Sequence, residues 1–435
     1  MENKILIKDA LILNPRNDKE FEIKKSSLLI ENDKIAKIDK NIDENSASKI
    51  INAKNKILMP GLVNTHTHLS MTLFRSLADD LNLDSWLNDH IWPIEAKLNK
   101  KYCYAGALLG AVEMIKSGTT TFSDMYFYMD GVAEAVDKAG LRSVLSYGMI
   151  DFGDSEKRKK EIKESENLYK NFHNTADNRI KVFLGPHSAY TCSKELLESV
   201  RKKANKYKTG IHIHMNETKK EIEDIKESTG MLPFEYLNDI SFLNDDVVAA
   251  HGVWLSNNEI DLIKENNIKI SHNPCSNMKL SSGIAPINNL IENNICVSLG
   301  TDGASSNNNL DMFEEMKFAS LLQKVDTFNP KALSAEETIK IATLNGAKSL
   351  QLENEIGSIE VGKKADIILI DCDSANLTPN NNLISSNIVY SANGSNVDTT
   401  ICNGKILMEN KKLSFLDEKE IYLNANENIK KLKEN

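Results

Sequence analysis

Histidine is scarce in this chain, with nine among 435 residues, and no pair of cysteines has C-x-x-C spacing. The six cysteines (Cys103, Cys192, Cys275, Cys296, Cys372, Cys402) stand far apart. That argues against a disulfide framework or a thiolate zinc ribbon, and it fits a reducing cytoplasm. Positive charge is not in excess either. Lys and Arg number 53 against 62 Asp and Glu, a net charge of −9, so no basic field exists to hold a polyanion. Nucleic acid and an anionic membrane are therefore not expected as partners. No apolar run approaches the roughly 18 residues needed to span a bilayer. The opening MENKILIKDALIL alternates polar and apolar residues as a strand does and lacks the uninterrupted apolar core of a signal peptide. What is present, 41% hydrophobic and 26% charged residues, describes an ordinary soluble globular protein. At about 150 residues per domain, the length suits two or three domains, or one large domain with an addition.

The two ends differ in pattern from the middle. Residues 3–14, 26–39 and 50–58 give short strand-like pieces separated by Asn, Asp and Lys. The C-terminal part repeats this with ADIILIDCD from Ala365, NIVYSA from Asn387 and TTICNGKILMEN from Thr399, where Asn403-Gly404 is a hairpin signal. Neither end supplies a full core, so both are expected to pair into one small β-sandwich. Between them, apolar β-type runs alternate with amphipathic stretches. The runs are Ile57–Asn64, Thr119–Asp124, Leu141–Met149, Ile180–Gly185, Gly210–His214, Val247–His251, Ile268–Ser271 and Ile295–Gly300. Eight strand–helix units have the rhythm of a (β/α)₈ barrel. A doubly wound open sheet has the same rhythm, and periodicity does not separate the two. The expected division is 1–57 plus 355–435 for the sandwich and 58–354 for the barrel. The run Lys157-Arg158-Lys159-Lys160, followed by Glu161, Glu164 and Glu166, reads as a solvated helix face.

The few histidines cluster where these strands end. His66 and His68 form an H-x-H after the first barrel strand, and residues i and i+2 of an extended chain point to one side. His214 ends the fifth strand with Glu217 three residues on, His251 ends the sixth, and Asp302 follows the eighth. On a β/α barrel such positions converge at the C-terminal mouth, where active sites of that fold are built. Three imidazoles and a carboxylate suit Zn²⁺ or Fe²⁺ and leave room for a water. Competing motifs fail. There is no HExxH and no H-x-E…P-C-x-x-C signature. The segment from Gly357 to Lys364 imitates a P-loop but puts Lys364 where a hydroxyl should meet Mg²⁺.

PGLVNTHTH, GPHSAYTCS, HIHMNET, AAHGVWL, SHNPCSNMKLSSGIAPI and LGTDGASSNNNLDMFEEM together resemble the amidohydrolase superfamily. More closely they resemble its 5-methylthioadenosine/S-adenosylhomocysteine deaminase branch, over nearly the whole chain. The resemblance implies an α/β fold, a distorted (β/α)₈ barrel carrying a β-sandwich made of both ends. It implies His66, His68, His214 and Asp302 as ligands of one divalent metal per subunit, Zn²⁺ with Fe²⁺ as the alternative. Binuclear relatives use a carboxylated lysine at the end of strand four, and here Lys181 lies at the wrong end of that strand.

The implied activity is hydrolytic deamination of adenosine-type nucleosides in the cytoplasm, on a small-molecule substrate, with homo-oligomerisation left open. Asp302 takes the proton of the attacking water, His251 orients the hydroxide, and Glu217 protonates N1 of the purine. Trp86 is similar to the family's aromatic wall, and Glu95 to the carboxylate that accepts both ribose hydroxyls. His187 is similar to a nucleoside contact near N3, and Ser306 to a further polar contact. His90, His173, His212 and His272 are read as structural or surface residues, with His272 bracing backbone. Tyr147 stands where close relatives carry an arginine for the homocysteine carboxylate, with Arg158 loosely aligned to a second. A tyrosine cannot replace a bidentate guanidinium, so neutral 5′-groups are expected, as in 5′-methylthioadenosine, 5′-deoxyadenosine or adenosine. Two other readings remain: an amidohydrolase for another aminated or chlorinated heterocycle (guanine or a triazine), and a catalytically silent metal-binding scaffold. The presence of Glu217 and His251, unnecessary for holding metal, counts against the last.

Overall fold

The computed structural model describes residues 4–17, 20–81, 85–379 and 384–434. The N-terminal strands are β1 (Lys4–Pro15), β2 (Phe21–Glu31), β3 (Lys34–Asp39), β4 (Lys49–Asn52) and β5 (Lys56–Pro60). The barrel strands are β6 (Leu62–Thr67), β7 (Thr119–Tyr126), β8 (Arg142–Met149), β9 (Ile180–Pro186), β10 (Ile211–Met215), β11 (Val247–His251), β12 (Lys269–His272) and β13 (Val297–Leu299). The C-terminal strands are β14 (Ile367–Asp371), β15 (Val397–Cys402), β16 (Lys405–Glu409) and β17 (Lys412–Leu413).

All eight expected barrel strands form, in the order β6 to β13, each parallel to its neighbour. Near-closure comes from contacts between the last strand and the first. Thr65 Oγ1 donates to Leu299 O at 3.0 Å, and Asp302 N donates to His66 O at 2.9 Å. Strand residues are buried along nearly their whole length, as a sheet covered on both faces requires. This settles the choice between barrel and open sheet.

The two ends pair as expected. Strands β14 and β5 are antiparallel neighbours, and β5 continues through β1 to β2 and β3, in one nine-stranded mixed sheet. Ile5, Ile7, Leu28, Ile30, Ile367 and Ile401 belong to a core of this sheet, separate from that of the barrel. The Asn403-Gly404 signal is a tight hairpin between β15 and β16, with φ of 50° and 72°.

Two local expectations need correction. The run from Ile57 to Asn64 is two strands, because β5 belongs to the terminal sheet and β6 to the barrel. They break at Gly61, where a Cβ would lie 2.1 Å from Thr120 Oγ1, so only glycine lets the chain cross there. NIVYSA is not a strand. Ile384–Tyr390 is a helix that buries Ile384, Ile388 and Val389. Apolar residues at i, i+4 and i+5 mark one helix face, and a three-residue apolar run does not reveal that alone.

Candidate active site

The mouth of the barrel collects the chemistry from its strand ends. His66 lies inside β6 with its side chain fully buried, and His68 follows at the strand's exit. His214 is the fourth residue of β10, His251 the last of β11, and Asp302 follows β13. His251 and Asp302 have φ of 78° and 60°, a region L-residues seldom occupy, which turns each side chain back over the barrel axis. Gly300 permits the approach of β13 to β6, since a Cβ there would lie 2.8 Å from His66 N.

The donor atoms crowd together. Asp302 Oδ1 lies 3.2 Å from His68 Nε2 and 3.4 Å from His66 Nε2, and His68 Nε2 lies 3.4 Å from His214 Nε2. The groups His66–His68–His214 and His66–His251–Asp302 each bring their ligand atoms within 4.8 Å of one another. Four imidazoles and the Asp302 carboxylate therefore gather at one point. Buried His66 Nε2 has no hydrogen-bond partner. A nitrogen–oxygen donor set with one bare buried nitrogen fits a divalent zinc-type ion.

The electrostatics follow from burial around one anion. Burial lowers His66 to about 4. Burial also works against charge on His68, yet its hydrogen bond to Asp302 and the attraction of that carboxylate raise it to about 9. Burial alone would raise Asp302, but the His66 and His68 imidazoles hold it well below the usual carboxylate range. Ser276 Oγ and Ser306 Oγ donate to Asp302 Oδ2 at 2.6 and 2.9 Å.

Glu217 lies three residues past His214, its Oε2 3.7 Å from His251 Nε2 and its Oε1 accepting from Ser282 Oγ at 3.4 Å. Burial raises its pKa, which favours the protonated acid. Glu221 fixes the turn beneath it, accepting from Asn216 N at 2.9 Å and Glu217 N at 2.8 Å. The signal for Glu221 was present in the sequence. Thr218 caps the next helix three residues before it, a capping-box spacing.

A cavity opens over these groups, and Trp86, Glu95, His187, Glu217, His251 and Asp302 all line it. Trp86 stands in a π-helical turn, Trp86–Ile91, and Glu95 ends the short helix Trp92–Glu95 that follows. Tyr126 at the end of β7 donates from its hydroxyl to Glu95 Oε1 at 2.5 Å, holding that carboxylate in place. Burial raises Glu95 as well. His187 turns Nδ1 towards Thr191 Oγ1 at 3.0 Å, and burial lowers it to about 3. Ser306 does not join the lining. It is buried behind Asp302, to which it donates, so its place is that of a support for the carboxylate. Tyr126 and Asn277, whose Oδ1 lies 2.9 Å from His251 Nδ1, carried no signal in the sequence because each meets its partner across tens of residues.

Beyond Glu95 the cavity continues into an outer groove lined by Tyr147, Phe152, Lys157 and Lys160. Burial and the neighbouring Glu161 carboxylate push the Tyr147 hydroxyl up. Arg158 is occupied by Asp151 at 3.3 Å, Ser193 at 2.8 Å and Glu195 at 3.2 Å, and does not line the groove. Among the described residues, no helix is long and apolar enough to cross a membrane.

Eight parallel strands that deliver imidazoles and carboxylates to one deep cavity define a hydrolytic β/α barrel. Residues 57–407 match the model of the amidohydrolase family, and the chain belongs to that family. It is 67% identical over 433 residues to a 5′-deoxyadenosine deaminase of Methanobrevibacter smithii, covering 100% of this chain and 99% of the relative. It is 53% identical over 421 residues to a 5′-deoxyadenosine deaminase of Methanosphaera stadtmanae, covering 97% of each. Among solved structures, a zinc-bound adenosine deaminase from Xanthomonas campestris superposes with a TM-score of 0.94 at 30% identity, covering 100% of this chain and 99% of that one.

Proposed function

We propose that this chain is a metal-dependent deaminase that hydrolyses the C6 amino group of adenosine-type nucleosides, giving the inosine analogue and ammonia. The observation that carries the reading is one cavity lined both by Glu217, raised by burial and beside His251, and by Glu95, anchored by Tyr126 where the cavity meets the outer groove. A purine ring and its ribose need that pairing of a proton donor with a separate acceptor for hydroxyls. The naming of close relatives as 5′-deoxyadenosine deaminases supports it.

On this reading His66, His68, His214 and Asp302 hold one zinc ion per subunit, with Fe²⁺ the alternative. When bound, the ion acidifies water so that hydroxide is available near neutral pH. Asp302 accepts the proton of the attacking water, held in place by its Ser276 and Ser306 hydrogen bonds. His251 orients that water, its ring fixed through Nδ1 by Asn277. Glu217 delivers a proton to N1 as attack at C6 proceeds, and the amine leaves as ammonia. Glu95 accepts from the ribose hydroxyls, Trp86 walls the ring, and His187 contacts the base side. We further assign the two chain ends and the segment between them to two folding units, with the first boundary at Gly61 and not after residue 57, because β5 pairs within the terminal sheet. We assign the chain to the cytoplasm, where cysteines that form no disulfide framework are at home.

A neutral 5′-group is preferred on this reading. Arg158 is engaged within the protein and Tyr147 carries no positive charge, so among the described residues of the outer groove the cations a carboxylate-bearing tail would find are the exposed Lys157 and Lys160. Ammonia release from 5′-deoxyadenosine, 5′-methylthioadenosine, adenosine, S-adenosylhomocysteine, guanine and a chlorotriazine decides the matter. The expected order places the three neutral nucleosides first. Turnover of guanine or the triazine without the nucleosides overturns the function, and a clear lead for S-adenosylhomocysteine overturns the 5′-preference alone.

A further inference from the structure

An imidazole that binds a cation through Nε2 must keep that nitrogen bare, which puts its proton on Nδ1. Three of the four rings gathered with Asp302 have an oxygen waiting for that proton. Met125 O lies 2.6 Å from His68 Nδ1, His187 O lies 2.7 Å from His214 Nδ1, and Asn277 Oδ1 lies 2.9 Å from His251 Nδ1. A carbonyl oxygen only accepts, so each of these dictates the tautomer.

His66 differs from the other three. Its Nδ1 lies 2.9 Å from Nε2 of His212, a ring nitrogen able to accept or to donate. His212 sits two residues before His214 on β10, so both point to the same side, and it is fully buried beneath His66. Its far nitrogen, Nδ1, lies 3.3 Å from Ser123 Oγ on β7. The rings of His66 and His212 meet edge to face at 90° with centroids 5.0 Å apart, which aims one ring's nitrogen at the other's.

We propose that His212 is a positioning residue that sets the tautomer of His66. With the His212 proton on Nδ1, directed at Ser123, its bare Nε2 accepts from His66 Nδ1–H, and the His66 Nε2 lone pair is left facing the Asp302 carboxylate. In the opposite arrangement His212 Nε2–H donates to His66 Nδ1, and the proton on His66 Nε2 points at Asp302 Oδ1, 3.4 Å away. Each ring carries one proton in both arrangements, so protons change nitrogens with no net gain or loss. Only the first arrangement leaves His66 able to bind a cation. This assignment rests on the metal reading above.

The test is zinc affinity of the full-length chain by chelator competition, for the parent, His212→Leu and His212→Gln. It is joined to the His66 Nδ1–H signal in protein labelled with ¹⁵N-histidine and to thermal unfolding without metal. Leucine keeps the volume but removes the acceptor, whereas the glutamine amide oxygen can take the same hydrogen bond. The expected result is a loss of ~10–100-fold in zinc affinity for His212→Leu, with the Nδ1–H signal lost. His212→Gln should recover most of the affinity and the signal, with both variants unfolding near the same temperature. Parental affinity in His212→Leu, or equal losses in the two variants, overturns the proposal. His66→Gln and His214→Gln separate the two readings. If they lose zinc while His212→Leu keeps it, only His212 is misassigned; if they too bind as the parent does, the metal reading falls and takes His212 with it.

Discussion

Arg142 and His66 are both completely buried polar side chains on barrel strands, each with one nitrogen that lacks a hydrogen-bond partner, and they differ in what surrounds them. Arg142, at the start of β8 where the terminal sheet packs, donates to both Asp366 oxygens at 2.8 and 3.1 Å and to Asn403 Oδ1 at 3.1 Å. His66, at the far end of the barrel, keeps one nitrogen without a partner, in a cluster that also holds a carboxylate and three further imidazoles. Positive φ follows the same division. In the terminal sheet it falls on Asp9, Asn32, Asn55, Asn403, Asn410 and Lys411, mostly residues that tolerate it in turns, whereas at the mouth it reaches His251 and Asp302 as well as Asn216. The junction pairs its buried cation with a buried carboxylate through two hydrogen bonds and serves stability, although Arg142 Nη1 also lacks a hydrogen-bond partner. The mouth instead gathers ligand-type nitrogens and a carboxylate around one point, as a site prepared for a ligand must.

The largest test of that division is Glu217→Gln. Turnover should fall by ~10²–10⁴-fold, while zinc binding and the unfolding temperature stay at parental values. Ammonia release at a near-normal rate would remove Glu217 from the chemistry.

Asp366→Ala probes the other side. It strands the Arg142 guanidinium in a buried site and should cost about 3–5 kcal/mol in urea unfolding, with kcat/KM of the folded fraction unchanged. A comparable loss of kcat/KM would show that junction and mouth are not separable.

Glu95→Gln is expected to lower kcat/KM for ribosides by about 10–100-fold, the worth of a hydrogen bond to a charged group. Tyr126→Phe should reproduce part of that effect through KM. Identical kinetics for parent and Glu95→Gln would dismiss it as the hydroxyl acceptor.

The smallest effect concerns Glu315, which burial raises from 4.5 to about 8. It accepts from Asn307 Nδ2 at 2.5 Å and Cys275 N at 3.2 Å, bracing the loops that carry Ser306 and Ser276. The folded chain holds a proton that the unfolded chain releases above about 4.5, so this stability is full below that pH and is lost as pH rises towards 8. Glu315→Gln should flatten the fall of unfolding temperature between those limits. An unchanged slope refutes the assignment.

The site was legible where the signal is local. Two histidines at i and i+2, a strand of β-branched residues and a turn after it lie within ten residues, and the alternation of strand faces does the rest. So His66, His68, His214, His251 and Asp302 were readable from the residues, and the resemblance added Glu95 and Trp86. What lay beyond that reach was every partner brought in by closure of the barrel. Ser306 looks in sequence like one more polar group near a ligand, and in the fold it stands behind Asp302. His212 has the same alternation as His214 yet reads only as a structural or surface residue, because one layer of depth in the barrel separates a ligand from its support. The segment Ile384–Tyr390 was misread because a short apolar run carries no period of its own.

The linear chain, then, already specifies which side chains can do chemistry and that strands carry them to one end, since backbone alternation and hydrophobic period are properties of neighbours. Which nitrogen of each imidazole faces inward, which carboxyl is raised and which is lowered, and whether a serine meets ligand or carboxylate are properties of distance and burial. Those depend on groups up to 237 residues apart, such as Asn64 and Thr301, meeting where the last strand reaches the first. Desolvation and hydrogen bonding act through space, so they exist only once the barrel has closed.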